Sequence, residues 1–361
     1  MSVASGLPAA PAGREGATPG LGEVILGPGA VTPGLGPYRL AWRRLRGNRV
    51  ALAFGLLFLA IALVSVLAPL YAHQIAKTGP DENHITETIK VGGRTLEVVS
   101  PGGIPIGPTW RSRFFLGADQ NGRDIAVRLL YGGRNSLFIG AVATTITMVL
   151  AILVGLLSGY SRGPVDGVLS RAMDVLWAYP AVLLGVALGV VFALGGIDLG
   201  LFHLQGSSLL VPAVIVGVVY VPYVAKALRG QVLGLREREF VDAARAQGLG
   251  HVRIMLGEIL PNLASTIVVL VPLMLANSIL REASLSVRGA GVQPPSPSWG
   301  TMIAEGIRFI PAAIHTTLVP GIMLMLAVLG INVFGDGLRD ALDPRARVRV
   351  GRSPVSAEIE T

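Results

Sequence analysis

Six stretches without a charged side chain, each long enough to cross a bilayer, constrain this chain more than anything else in it. A helix needs about 20 apolar residues to span the hydrocarbon core. Runs of that length fall at residues 50–72, 135–161, 175–197, 199–225, 259–280 and 309–335. In lipid a segment must satisfy its own backbone hydrogen bonds, so each run is expected to be a helix. Pro69, Pro180, Pro212, Pro222, Pro272 and Pro320 fall inside these runs and are expected to mark kinks or span ends. Only 14% of the residues are charged, against about 25% in soluble domains. The chain therefore reads as an all-α integral membrane protein with six transmembrane helices.

Arginine and lysine near the span ends set the orientation. Arg39, Arg43, Arg44, Arg46 and Arg49 precede the first run, and Arg339, Arg345, Arg347, Arg349 and Arg352 follow the last. Both termini are thus expected in the cytoplasm. The loop with Arg162 and Arg171 is expected inside, and the loop between runs three and four, which lacks both residue types, outside. Residues 73–134 hold several arginines yet fall outside, which a long loop permits. The net charge of +8 reads as cytoplasmic loops near anionic lipid, with no nucleic-acid motif to suggest another use.

The domain reading follows: a Gly-, Pro- and Ala-rich disordered tail at 1–37, a first span with its outer loop at 38–134, a transmembrane core at 135–342 and a flexible tail at 343–361. No cleaved signal peptide is expected, because the first apolar run is too long and starts too late. Residues 85–99, ITETIKVGGRTLEVV, alternate on both sides of Gly92-Gly93 and predict a β-hairpin. In FLGADQNGRDIAVRLLYGGRNSL (115–137), Asp119 or Asn121 is expected to cap a helix with Ile125, Leu129 and Leu130 on one face. That helix either lies on the outer membrane surface or offers a docking face, and the two are compatible. In the outer loop 286–306, Pro294, Pro295 and Pro297 stiffen the chain and Trp299 is expected to anchor at the interface. The loop either closes a pore mouth or is a connector.

Much chemistry is absent from the sequence. There is no cysteine, and none of Lys77, Lys90 or Lys226 follows a glycine, so no P-loop exists. HExxH and GxSxG are also missing. His203 and His315 read as hydrogen-bonded filler rather than ligands. Gly155 and Gly159 form a GxxxG that permits close helix packing. The spans look almost clean of ionisable groups, with Asp174 and Asp198 at span edges. An ion-coupled secondary transporter would need such groups, and an intramembrane enzyme would need paired catalytic ones.

The densest charge lies at 236–262, between runs four and five. Its segment DAARAQGLGHVRIMLGEILPN (242–262) resembles the EAA motif of ABC importer permeases. Asp242, Ala243, Ala244 and Gly248 match in spacing, with Asp in place of Glu, and Leu260 and Pro261 also fall in place. Glu258 stands where the motif has Ile. Small Ala243 and Ala244 suit close approach to a partner, and Gly248 suits a helix end. Residues 115–137, GVQPPSPSWGTMIAEG, GDGLRDALDPR (335–345) and RRLRGNRVALAFGLL are similar to segments of the C-type subunit of dipeptide and oligopeptide permeases. The resemblance covers about residues 38–346. The departures are SVRGAG, with Arg288, where SFLGLG is usual, Ala126 where Ser is common, and the hairpin around Gly92-Gly93.

The resemblance implies a type I ABC importer permease fold and a non-catalytic subunit of a peptide importer in a bacterial cell membrane. It implies a homologous B-type permease as heterodimer partner, two P-loop ATPase subunits carrying ATP and magnesium, and an extracytoplasmic substrate-binding protein. No cofactor is expected in this chain itself. Within loop 226–258 and just beyond, the resemblance assigns ATPase coupling to Arg236, Glu239, Asp242, Ala243, Ala244, Arg245, Gly248, Arg253 and Pro261. Binding-protein docking is expected at Asp119, Gly122, Arg123, Asp124, Arg128, Arg134, Gln293 and Trp299. Nickel-chelate and glutathione importers use similar subunits and remain alternatives.

Overall fold

A computed structural model describes residues 37–198 and 203–342. The two expected tails lie outside the described residues, except Pro37, which opens helix α1 (Pro37–Gly47). Among the described residues, four helical segments are long and apolar enough to cross a membrane alone. These are α2 (Arg49–Val66), α4 (Ile125–Tyr160), the run from α10 (His251–Ile254) through a π turn (Met255–Ile259) into α11 (Leu260–Val287), and α13 (His315–Leu342). Two further pairs qualify only when counted together. One is α5 (Pro164–Ala178) with α6 (Ala181–Gly195), bent by 85°, and the other is α7 (Leu210–Val219) with α8 (Val221–Arg236), bent by 40°. The remaining helices are short: α3 (Ala68–Tyr71), α9 (Glu239–Ala246) and α12 (Trp299–Gly306).

The third and fourth apolar runs are therefore broken rather than straight spans. Run 175–197 starts inside α5 and crosses the break at Tyr179-Pro180. Proline disfavours a helical conformation for the residue before it, and Tyr179 is extended (φ −88°, ψ 136°). Run 199–225 contains no described helix before Leu210, and it breaks again at Tyr220, two residues before Pro222. Strands β3 (Ile197–Asp198) and β4 (His203–Leu204) pair in the connection between α6 and α7. Pro272 and Pro320 sit inside α11 and α13, and the other four prolines lie at ends or breaks, as expected.

Helix α4 is the central element. Its 36 residues run about 54 Å, well beyond a hydrocarbon core of about 30 Å. It crosses the boundary expected at 134/135, so the segment at 125–134 is no separate surface helix. Asp124, not Asp119 or Asn121, caps it, accepting from the Ala126 and Val127 amides. Ile125 and Leu129 are buried. The GxxxG seats α4 on α8: a Cβ at Gly159 would come within 2.6 Å of the Val232 Cβ, and one at Gly155 within 2.9 Å of the Leu228 Cβ. Helices α1, α2 and α13 meet through Ala41, Leu45, Ala51 and Ala341.

The hairpin forms as expected. Strands β1 (Thr88–Val91) and β2 (Arg94–Glu97) pair antiparallel, with Val91 opposite Arg94. Gly92 and Gly93 take φ of +59° and +81°, the positive pair that a two-residue turn of this kind requires. Strand β2 is exposed throughout, while Ile89 packs on Val98, Val99, Phe114 and Ala118.

Candidate functional site

Helix α9 is positioned by one buried edge. Val241 and Ala244, three residues apart, share a face and pack on Leu156 and Tyr160 of α4, Val232 of α8, and Ile254, Ile259 and Leu263. Its start is extended at Arg238 (ψ 148°). Its end follows from glycine geometry. Gly248 has φ +78°, its N–H donates to the Arg245 carbonyl at 2.9 Å, and the Leu249 N–H donates to the Ala244 carbonyl at 3.1 Å. This pair of bonds is a Schellman cap, and Leu249 folds back on the same apolar cluster. Glu239 and Asp242 in the first turn and Arg245 in the last complement the helix dipole.

The face turned away from the protein carries Glu239, Asp242, Ala243 and Arg245, all exposed. Asp242 and Arg245 pair at 2.9 Å. Two sequence assignments change here. Ala244 is buried against its own chain, so only Ala243 of the two alanines is presented outward. Arg236 points inward: its Nη1 donates to the carbonyls of Gly159, Tyr160 and Ser161 at the end of α4, which makes it an anchor of the loop. Pro261, exposed at the start of α11, follows the π turn, where the Leu260 N–H donates five residues back to Met255. Arg253 is exposed beside an open groove lined by Gly250, His251, Val252, Leu256 and Gly257. The Glu237 carboxyl is held below the ordinary glutamate range by hydrogen bonds from Arg236 and Arg162.

At the opposite end of α4 most of the expected docking residues are internal. Arg123 Nη2 and Arg128 Nη2 both donate to Glu305 Oε2, at 2.7 and 3.1 Å, and Arg123 Nε donates to Asp119 Oδ2 at 2.7 Å. Arg128 is 1% exposed and Asp119 and Arg123 are 6% exposed. Asp124 is fully buried. Burial pushes its carboxyl above the ordinary aspartate range, against the pull of bonds from the Phe114, Val127 and Ala126 amides. Gly122 (φ +71°) is buried against His84 and Ile85. Trp299, expected at an interface, is fully buried and donates from Nε1 to the Leu129 carbonyl. Gln293 turns its amide back onto the carbonyls of Gly289 and Gly291. Of the eight residues, Arg134 alone is exposed. The six buried residues, Asp119, Gly122, Arg123, Asp124, Arg128 and Trp299, are held inside this chain and present no surface to a docked protein, while Gln293 is half-buried.

Two carboxylates escaped the sequence reading. Glu305 is the acceptor that the buried arginines share. Glu282 lies in α11, fully buried, and accepts from the hydroxyls of Ser136, Ser286 and Ser298. It ties α4 and α11 to the loop that enters α12. The fifth apolar run stops at Leu280, just short of Arg281 and Glu282, so the span looked cleaner than it is. An acid and a base flanking the end of an apolar run was the signal available.

Against known proteins, residues 151–348 match the family described as binding-protein-dependent transport system inner membrane component. Residues 36–86 match the N-terminal transmembrane domain of oligopeptide transport permease C. The chain is 34% identical to the dipeptide transport system permease protein DppC of Alkalihalophilus pseudofirmus, over 86% of this chain and 91% of that protein. It is 33% identical to the glutathione transport system permease protein GsiD of Pectobacterium atrosepticum, over 86% of this chain and 92% of that one. A solved inward-facing MetNI methionine ABC transporter aligns with TM-score 0.48 and 18% identity, covering 60% of this chain and 96% of that chain.

Proposed function

The chain belongs to the family of binding-protein-dependent transport system inner membrane components, and from that membership we propose that it is one membrane subunit of an ATP-driven importer of di- and oligopeptides. It forms half of a pore with a homologous B-type permease. Two P-loop ATPases bind ATP and magnesium on the cytoplasmic side, and a substrate-binding protein delivers peptide from outside. The termini and α9 face the cytoplasm, in keeping with the arginines that flank the first and last spans.

One observation carries the mechanism. Helix α9 is a short projection with a polar outer face and a buried inner edge that touches the ends of α4, α8 and α11 together. When the ATPases close on ATP, a push on Glu239, Asp242, Ala243 and Arg245 passes through Val241 and Ala244 into three spans. Packed interiors deform little, so the spans move as bodies. The pore alternates between inward and outward states that differ by a few kcal/mol, on the order of what ATP can bias. No bond in the peptide is broken by this chain.

A glutathione importer is the second reading, favoured by the GsiD relative. An ion-coupled carrier gains a buried carboxylate in Glu282, but family membership argues for an energy source on another subunit. The test is co-purification from native membranes in mild detergent. The expected companions are a second permease and P-loop ATPases, with uptake of labelled dipeptide by the reconstituted assembly. Isolation of this chain alone, even after cross-linking through loop 226–258, would overturn the importer assignment.

A further inference from the structure

The two helix breaks face one another across a single cleft. Trp177 and Pro180 come from the α5/α6 break, Tyr220 and Tyr223 from the α7/α8 break, and Asn277 and Arg281 from α11. Together they line a cleft of about 380 Å³, within the range of small-ligand sites, about 300–1,000 Å³. At membrane depth an interrupted helix is tolerated where it is buried in protein or lines a cavity. Two interruptions around one cleft fit that condition, since both line the same cavity.

Arg281 is the feature that asks for a ligand. Two cations of the neighbouring α8 have carboxylates: Lys226 meets Asp174 at 2.8 Å, and Arg229 meets Asp166 at 2.7 Å. Among the described residues, Arg281 has no carboxylate in ion-pair range, and its contact is the face of Tyr220, 5.0 Å away. The Tyr220 hydroxyl is itself buried without a hydrogen-bond partner. A guanidinium inside a span costs free energy unless an anion or water meets it. Its planar fork is matched by a carboxylate, to which it can donate two parallel bonds. Beside it Trp177 and Tyr223 stack at 5.9 Å, each about half exposed, and offer an apolar platform with polar edges.

We propose that Arg281, with Tyr220 and the Trp177–Tyr223 platform, forms a subsite in the translocation path that takes a carboxylate of the transported solute, such as the free C-terminus of a peptide. The proposal rests on the importer reading. The other source of the same chemistry is a carboxylate of the partner permease, and the experiment separates the two.

The test uses the co-purified complex carrying Asn277→Cys; this chain has no other cysteine. Modification of this chain by anionic and cationic methanethiosulfonates is followed by mass shift, each rate normalised to a free thiol. An unpaired Arg281 favours the anionic reagent by about ten-fold. Arg281→Gln in the same background brings the ratio close to one. A dipeptide with a free carboxylate slows labelling, and its C-terminal amide does not. Ala181→Cys, on the same cleft, serves if the first variant does not assemble. A ratio near one with Arg281 present, a ratio unmoved by Arg281→Gln, or equal protection by acid and amide overturns the subsite. If no anionic preference exists and Arg281→Gln also releases the partner permease, the carboxylate is the partner's and the proposal falls. None of these readings requires uptake, so a complex lacking ATPases would fail the importer reading through its composition while the charge measurement still stands.

Discussion

Between Asp119 and Arg134 the chain carries five charged side chains, and between Arg236 and Arg253 it carries seven. The first group, apart from the exposed Arg134, folds inward. Asp119, Arg123 and Arg128 close on Glu305, which lies 177 residues beyond Arg128. The second group mostly faces out, because Val241 and Ala244 give α9 an apolar edge that leaves its charges on the other side. Charge density alone does not distinguish a surface from a buried network. What decides is whether a distant segment supplies the opposite charge and covers the cluster. Here α12 does so for the first group, and no described segment of this chain covers the second.

Substitutions should separate the two regions sharply. Arg128→Ala removes one member of the buried cluster and leaves Asp119 and Glu305 partly unpaired. It should cost about 3–5 kcal/mol, seen as a large drop in the thermal midpoint of the detergent-solubilised protein. A loss under about 1 kcal/mol would mean that water already reaches the cluster. On α9 the adjacent alanines should behave differently. Ala244→Leu overpacks a buried contact and should cost about 1–3 kcal/mol. Ala243→Leu should change stability by less than about 0.5 kcal/mol yet weaken capture of the ATPase on co-purification. Equal destabilisation at both positions would contradict the assignment of faces.

Gly248 tests the turn that ends α9. Its φ of +78° disfavours a Cβ by about 1 kcal/mol, although no neighbouring atom lies within 4 Å of the site. Gly248→Asp should therefore insert and accumulate normally while peptide uptake is abolished; normal uptake would remove the loop from the coupling role. The smallest effect is expected at Asp242→Asn. The exposed pair with Arg245 contributes about 0.2–1 kcal/mol and is screened by salt, so the shift should shrink in about 1 M NaCl.

Local features were legible in the sequence. Gly92-Gly93 between alternating segments specified the hairpin, and Gly248 specified the end of α9, since in each case only the immediate backbone decides. Hydropathy located the membrane-crossing segments because lipid imposes a length. It did not reveal that runs three and four are bent, since apolar composition is blind to direction; Pro180 and Pro222 were the visible warning. The burial of most of the expected docking residues was hidden for a physical reason as well. A buried ion cluster and an exposed basic patch have the same local composition, and Glu305 lies too far along the chain to be matched to its arginines by spacing. Arg236 was assigned to coupling by its position beside the motif, and its bonds to the end of α4 appear only in three dimensions.

The most direct measurement of the coupling role is site-directed cross-linking in the purified complex. Two single-cysteine variants are compared: Ala243→Cys, on the outer face of α9, and Arg134→Cys, at the other end of α4. Each is treated with a short bifunctional thiol reagent. The expected result for Ala243→Cys is an adduct with an ATPase subunit that forms in high yield and changes when ATP is bound. Arg134→Cys should give none. No ATPase adduct from Ala243→Cys, or one of equal yield from Arg134→Cys, would contradict the assignment of α9 as the element that receives the ATPase stroke.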